Sequence, residues 1–328
     1  MHKDTMSAPT PTTTAAAALC TLTSKGPQSL PTWCEIGVAA QTPGGVLALL
    51  LSRRILAPLD RPCPSPDCYA PAMPLRAITH PQMLEGIALR CDRCKGEWGV
   101  RHGSVLERSR QPLSSLAHAL LCVQGKVAIA QVVKMSKICY DSVSQLYRDV
   151  RNRMWRYMLR HPVTFDEDEI VEIDECYLRF QQREGEVPKW IIGMIGRNSG
   201  HVALEEAPDH KWQTMQRLIN KHVNRSTTIT ITDRHASFLF LEEERRHFWC
   251  EKRKKGSRLW LEVDDILLCD HFGPGTKVEF GIHTNTIEGF WSHFRKELRG
   301  VQDNTIHLYM AEIMYRRLGI DLIHAISL

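Results

Sequence analysis

The sequence predicts an α+β fold laid out in successive parts, and three observations carry that prediction. Two cysteine pairs, Cys63/Cys68 and Cys91/Cys94, stand 22 residues apart. Apolar side chains then recur at helical spacing through residues 113–154. From residue 170 to 232 the texture changes to strand, strand, strand, helix, strand.

Bulk properties bound the reading. A chain of 328 residues, 43% of them apolar, is long enough for more than one domain and a sizeable core. The net charge of +5 is mild, but residues 95–160 hold twelve Lys/Arg against four Asp/Glu. A local basic excess of this kind is the footprint of a polyanionic partner. Of the eleven cysteines, the seven outside the two pairs lack the spacing of a disulfide framework, and most of them read as buried thiols. No membrane span is expected, because the apolar run at residues 46–51 is short and is followed by Ser52, Arg53 and Arg54. A secretory signal is not expected either, since the first residues are polar.

Residues 1–58 form a low-complexity or poorly ordered N-terminus, with a Pro/Thr tract running into alanines at residues 8–18 and a short helix expected at 47–56. Residues 59–104 read as a zinc ribbon. Each cysteine pair sits on a tight knuckle, so Cys63, Cys68, Cys91 and Cys94 reach one tetrahedral Zn2+. Strands at 87–90 and 97–101 flank the second knuckle. Four thiolates leave no open position, so this zinc is structural.

Residues 105–163 form a helical region with helices at 113–124, 129–134 and 140–154. Helix, short turn and basic helix outline a helix-turn-helix. Ser142, Ser144, Gln145 and Arg148 are expected to face outward, and Gln145, Arg148 and Arg151 are the candidate DNA contacts.

A boundary follows at His161-Pro162 and the acidic run 166–169. Residues 164–328 then form the last domain. Strands at 170–178, 190–195 and 201–205, a helix at 212–222 and a strand at 227–232 follow the order of an RNase H-like mixed-sheet domain, in which the first and fourth strands are neighbours. Asp174 and Asp233 then lie side by side at strand ends, as acids that hold divalent metal do. The stretch 245–258 is basic and leaves two readings open, a contact to DNA backbone or a solvated loop. Asn285-Thr-Ile-Glu288 has the form of a capping box, with Asn285 as the cap. Ile287, Phe290, Trp291, Phe294 and Leu298 form that helix's buried stripe, while Glu288, Ser292 and Arg295 share another face.

These motifs resemble DDE transposases of the Merlin superfamily and related zinc-ribbon bacterial insertion-sequence transposases. The matching stretches are Cys91 to Cys94 running into Trp98-Gly-Val-Arg-His-Gly-Ser104, then Val171-Glu-Ile-Asp-Glu-Cys-Tyr177, Thr232-Asp233, and His283-Thr-Asn-Thr-Ile-Glu-Gly-Phe-Trp-Ser292. They span residues 60–318. The resemblance implies a transposase that binds transposon ends, hydrolyses a DNA phosphodiester and joins the 3′-OH end to target DNA. It implies Mg2+ or Mn2+ held by Asp174, Asp233 and a third residue, Glu288 or Asn285, with Glu288 favoured because Arg295 follows seven residues later. It further implies DNA contacts from Arg295 and Lys296, a substrate-orienting role for His271, double-stranded DNA as partner, at least a dimer, and no membrane. The cell compartment follows the host: nucleus in a eukaryote, nucleoid or cytoplasm in a bacterium. A domesticated, catalytically silent DNA-binding protein is the alternative.

Overall fold

The computed structural model describes residues 29–68, 74–165, 169–178, 189–224, 229–233, 235–244, 247–250 and 282–327. The alanine tract, acidic residues 166–168, most of the basic stretch 245–258 and His271 lie outside them. The chain divides into two compact units, one running to Met154 and including residues from Ile320 onward, the other Trp155–Gly319.

The first unit begins with helices α1 (Trp33–Ala39) and α2 (Gly45–Ser52). A capping box starts α1. Thr32 Oγ1 accepts from the Glu35 N–H at 3.2 Å, and the Glu35 carboxylate accepts from the Thr32 N–H at 2.7 Å. Three antiparallel strands follow: β1 (Arg76–Thr79), β2 (Ile87–Arg90) and β3 (Glu97–Gly99). β1 was not expected, because its four residues are all at least partly exposed and carry no apolar alternation. Between β2 and β3 the chain makes a knuckle in which the Lys95 N–H donates to Cys91 O and the Cys91 N–H to Gly96 O. Lys95 adopts φ 59°, and a Cβ on Gly96 would sit 2.5 Å from the Trp98 ring.

Helices α3 (Leu113–Gln124), α4 (Ile129–Ser136) and α5 (Tyr140–Arg160) come next. α5 runs six residues past the expected end at 154, and the division between the two units falls inside it. α4 and α5 are separated by residues 137–139, with Lys137 at φ 57° turning the chain. Val132, Ile138, Val143, Leu146 and Val150 are buried around that turn. The Tyr147 hydroxyl donates to Val127 O at 2.5 Å.

The second unit is built on a five-stranded sheet in the order β6-β5-β4-β7-β8. β4 (Ile170–Leu178), β5 (Lys189–Gly196) and β6 (Val202–Ala207) form an antiparallel meander. Glu169, at the end of the acidic run, is buried and accepts the N–H groups of Asn198 and Ser199 in the β5–β6 turn. Helix α6 (Trp212–Asn220) buries Met215, Leu218 and Ile219 and leads to β7 (Ile229–Asp233), which pairs with β4 in parallel. A 3-10 turn and the single-turn helix α7 (Leu241–Glu244) lead to β8 (His247–Cys250), parallel to β7. This strand order, with a parallel central pair, resembles RNase H-like cores.

One sheet face is covered by helices α8 (Asn285–Glu297) and α9 (Ile306–Arg317). Their Ile287, Phe290, Trp291, Phe294, Ile306 and Met310 pack into one cluster with Cys176, Ile191, Ile195 and Leu204 of the sheet. Each such side chain, fully buried, contributes roughly 1.5–3 kcal/mol. The short helix α10 (Leu322–Ile326), capped by Asp321, belongs to the first unit.

Candidate active site and cysteine cluster

The four ribbon cysteines converge. Cys63 Sγ lies 3.7 Å from Cys94 Sγ, and Cys68 Sγ lies 3.7 Å from Cys91 Sγ. All four sulfurs fall within 4.8 Å of one another. N–H groups of Cys94 and Arg93 point at Cys91 and hold its thiol down to about 7, whereas loss of solvation pushes Cys63 up to about 12. A soft tetrahedral donor set of this kind fits Zn2+.

In the second unit β4 carries three acids within four residues, and each has a different environment. Asp174 faces α8. Its Oδ2 accepts from Trp291 Nε1 at 3.0 Å. The same indole lies over Gly193, the β5 residue paired with Asp174, where a Cβ would stand 2.5 Å from the ring. Asp233 closes β7, while Asp174 stands at the middle of β4, and the parallel register that pairs Glu172 with Ile231 brings the two aspartates level. Carboxylate oxygens of Asp174, Glu175 and Asp233 lie within 4.8 Å of one another. Burial and then the Asp233 charge raise the Asp174 carboxyl above the usual range. Burial, Asp233 and Asp174 push Glu175 up to about 8. Crowded acids whose charges oppose one another suit a hard dication, which relieves the repulsion.

Glu172, two residues before Asp174, is fully buried. Its carboxylate accepts from the N–H groups of Thr286 at 2.9 Å and Ile287 at 3.0 Å, and from Thr286 Oγ1 at 2.8 Å. Arg197 Nε lies 2.6 Å away, and another Arg197 nitrogen donates to His283 O at 2.6 Å. A strand carboxylate therefore caps the helix that bears Glu288, as an anion at a helix N-terminus should.

That contact corrects the expected cap. Thr284 occupies the N-cap position, and Asn285 is the first helical residue and is exposed. Of the amide N–H groups an asparagine cap would take, that of Ile287 is held by Glu172 and that of Glu288 by Thr284 O. Glu288 is exposed, its carboxylate accepting from Thr284 Oγ1 at 3.1 Å. Glu288 does not join the group formed by Asp174, Glu175 and Asp233, although its charge adds to the rise at Asp174.

Of the other candidate residues, Arg295 and Lys296 are exposed on α8, with Arg295 close enough to Cys176 to oppose the burial that raises its thiol. On α5, Arg148 is exposed. Gln145 is half-buried and donates to Asp149 Oδ1 at 2.9 Å, and the Arg151 guanidinium lies 5.7 Å from the Tyr147 ring centroid. Ser142 and Ser144, expected to face outward, are half-buried too, with Cys139 Sγ 3.1 Å from Ser142 Oγ.

Two histidines were missed. His210 Nε2 lies 2.9 Å from Glu175 Oε1, and His235 Nδ1 lies 3.4 Å from it. Burial and the neighbouring His235 lower the His210 pKa. Neither stands in a recognisable motif; the β4–β5–β6 pairing brings His210 to Glu175, and the β4–β7 pairing brings His235.

Two aspartates meeting on neighbouring parallel strands of a mixed sheet resemble the arrangement of RNase H-like cores. Residues 167–317 match the family model of the ISXO2-like transposase domain, in agreement with the resemblance to DDE transposases. Among solved structures, the HTLV-2 integrase catalytic core domain in complex with magnesium (trimeric form) is 10% identical at a TM-score of 0.26, covering 47% of this chain and 85% of that one. The Mos1 mariner paired end complex with Mn is 11% identical at a TM-score of 0.20, covering 64% and 77%. Likenesses this distant add nothing to what the sheet order states. No curated protein matches the chain. Among the described residues, no helix is long and apolar enough to cross a membrane.

Proposed function

We propose that the chain is a DDE-type transposase, which binds transposon ends, hydrolyses the DNA phosphodiester there and joins the freed 3′-OH to target DNA. The observation that carries this reading is the meeting of Asp174, midway along β4, with Asp233, at the end of the adjacent parallel strand β7. In this reading Asp174 and Asp233 hold Mg2+ or Mn2+, and Glu288 is the third carboxylate once it leaves Thr284 Oγ1. Asn285, at the exposed start of the same helix, is the other candidate for that third position. Asp174, Asp233 and the third residue would hold such ions, and a bound ion would supply the Lewis acidity that activates a water or 3′-hydroxyl and offsets charge on the leaving oxygen.

The chain's own groups do the positioning. Trp291 fixes the Asp174 carboxylate by its indole N–H. Glu172 anchors the first turn of the helix that presents Glu288. Arg295 and Lys296, exposed on that helix, meet phosphate oxygens as charge-assisted donors. Helices α4 and α5 serve as a helix-turn-helix, and Arg148, exposed on α5, is its first DNA contact, with Gln145 and Arg151 freed from their intramolecular contacts on binding. Cys63, Cys68, Cys91 and Cys94 hold the structural Zn2+ beside it. Acting on two DNA ends requires at least a dimer, located in the nucleus of a eukaryotic host or the nucleoid of a bacterial one.

The test is cleavage of double-stranded DNA carrying the repeats that flank the gene, with Mg2+ or Mn2+, comparing wild type with Asp174→Ala. Metal-dependent nicking that vanishes in the variant supports the reading. Tight binding without nicking in either protein replaces it with a domesticated DNA-binding protein.

A further inference from the structure

β4 directs consecutive side chains to opposite faces, so Asp174 turns toward Trp291 while Glu175 turns away, toward His210 and His235. One ligand atom from each of Glu175, His210 and His235 falls within 4.8 Å of the other two. The histidines are held in place independently of Glu175. The His210 ring sits 4.4 Å from that of Trp190 and 4.7 Å from that of His235. The His235 backbone N–H donates to Asp233 Oδ1 at 3.2 Å, and its Nδ1 lies 2.7 Å from Ser237 Oγ.

A second observation points to a ligand. The Glu175 side chain is only 9% exposed, and its Oε2 is buried with no hydrogen-bond partner among the described residues. His210 Nε2 is likewise buried and makes no hydrogen bond, although Glu175 Oε1 lies 2.9 Å away. Buried polar atoms left without a hydrogen bond are costly. A cation placed among them satisfies all three groups at once.

We infer that Glu175, His210 and His235 form a binding site for a first-row transition-metal dication, of the Mn2+ or Zn2+ kind, on the face of β4 opposite Asp174. Two imidazoles and one carboxylate suit such ions and disfavour Mg2+, which prefers oxygen alone. Three protein ligands leave positions open for water or a phosphate oxygen. The ion competes with Ser237 for His235 Nδ1. The site shares Glu175 with the cluster of Asp174, Glu175 and Asp233, so the ion it binds fixes that carboxylate beside the two aspartates. It goes beyond the transposase reading, since the metal is taken by imidazole.

The experiment is pulsed electron paramagnetic resonance of Mn2+ added to the tag-free full chain after one equivalent of Zn2+ has filled the cysteine cluster. Mn2+ held by carboxylates alone shows no nitrogen modulation of the spin echo. Modulation from two imidazole nitrogens is expected in the wild type, from one in His210→Gln and one in His235→Gln, and from none in the double variant. Asp174→Asn should keep it. Bound Mn2+ without nitrogen modulation in the wild type, no binding, or modulation that survives in the double variant overturns the inference. DNA nicking is a separate readout, so a catalytically silent protein would still show the nitrogen signal.

Discussion

Trp291 donates its indole N–H to Asp174 Oδ2 at 3.0 Å, and the two residues come from elements 117 positions apart in the chain. The bond works against the rise that burial and Asp233 impose on the Asp174 carboxyl. Trp291→Phe keeps most of the ring and removes the donor. The folded-state pKa of Asp174 should therefore climb further. In the proposed reaction, which needs the ionised form, the acidic limb of the nicking profile should move to higher pH and the rate near neutrality should fall about tenfold. The loss of one hydrogen bond should cost about 1 kcal/mol of stability, read by denaturant melts.

Glu172 and Arg197 form a buried pair whose carboxylate also holds the first turn of α8. Glu172→Ala leaves Arg197 without its partner carboxylate and that turn without its cap. A loss of about 3–5 kcal/mol is expected, as for breaking other buried pairs. Hydrogen exchange should speed up in residues 285–288 before it does in β4.

Gly193 gives way to the Trp291 ring, where an added Cβ would stand 2.5 Å away. Gly193→Ala should destabilise by about 1–3 kcal/mol through overpacking. Pairing it with Trp291→Phe should recover part of that loss, which a double-mutant cycle on melting measures.

Glu175 sets a pH dependence of stability. Its folded pKa of about 8 stands above the usual 4.5, so between those values the folded state holds a proton that the unfolded state has lost. Stability from this group is present in full below the unfolded value and falls as pH rises toward 8. Metal-free protein should melt higher near pH 5.5 than near pH 8 on this account. Glu175→Gln should flatten the slope, as should saturating Mn2+.

Zinc uptake should be visible as proton release. Cys63, held up to about 12, must lose its proton to become a ligand, whereas Cys91, near 7, is already partly ionised. Apparent zinc affinity should fall as pH drops from 8 to 6, in a titration with a colorimetric chelator. Stripping the metal should loosen β1–β3 while leaving the near-ultraviolet signal of Trp291 intact.

What the sequence revealed follows from range. Asp233 was legible as a strand end because it closes an alternating run, and Asp174 was legible as its neighbour because strands one and four were expected side by side, although β4 continues four residues past Asp174. The stripe on α8 was legible because Ile287, Phe290, Trp291, Phe294 and Leu298 repeat at helical spacing, and all five are buried. The short edge strand β8 was hidden, since His247–Cys250 sits inside a basic stretch and is half-exposed throughout. Glu172 was hidden for a different reason. A lone acid in a strand signals only that something must pair it, and its partners on α8 lie 114 and 115 positions away. The choice of Asn285 as cap failed because local pattern cannot register a competitor from another strand. His210 and His235 carried no spacing signal; their common partner Glu175 is contributed by β4.

Three acids in four residues of β4 also set how the gene can decay. Glu172 and Asp174 serve one face of the strand and Glu175 the other. Substitutions in Ile170–Leu178 strike one job at a time. Gain of a single codon before Asp174 would set an isoleucine beneath the indole and an aspartate among the histidines, and loss of one would set a glutamate beneath the indole and a cysteine among the histidines. The strand could still pair with its neighbours. In a lineage of copies drifting without selection, such in-frame slips would leave a foldable sheet and a dismantled site, and their absence across copies would be a signature of continued use.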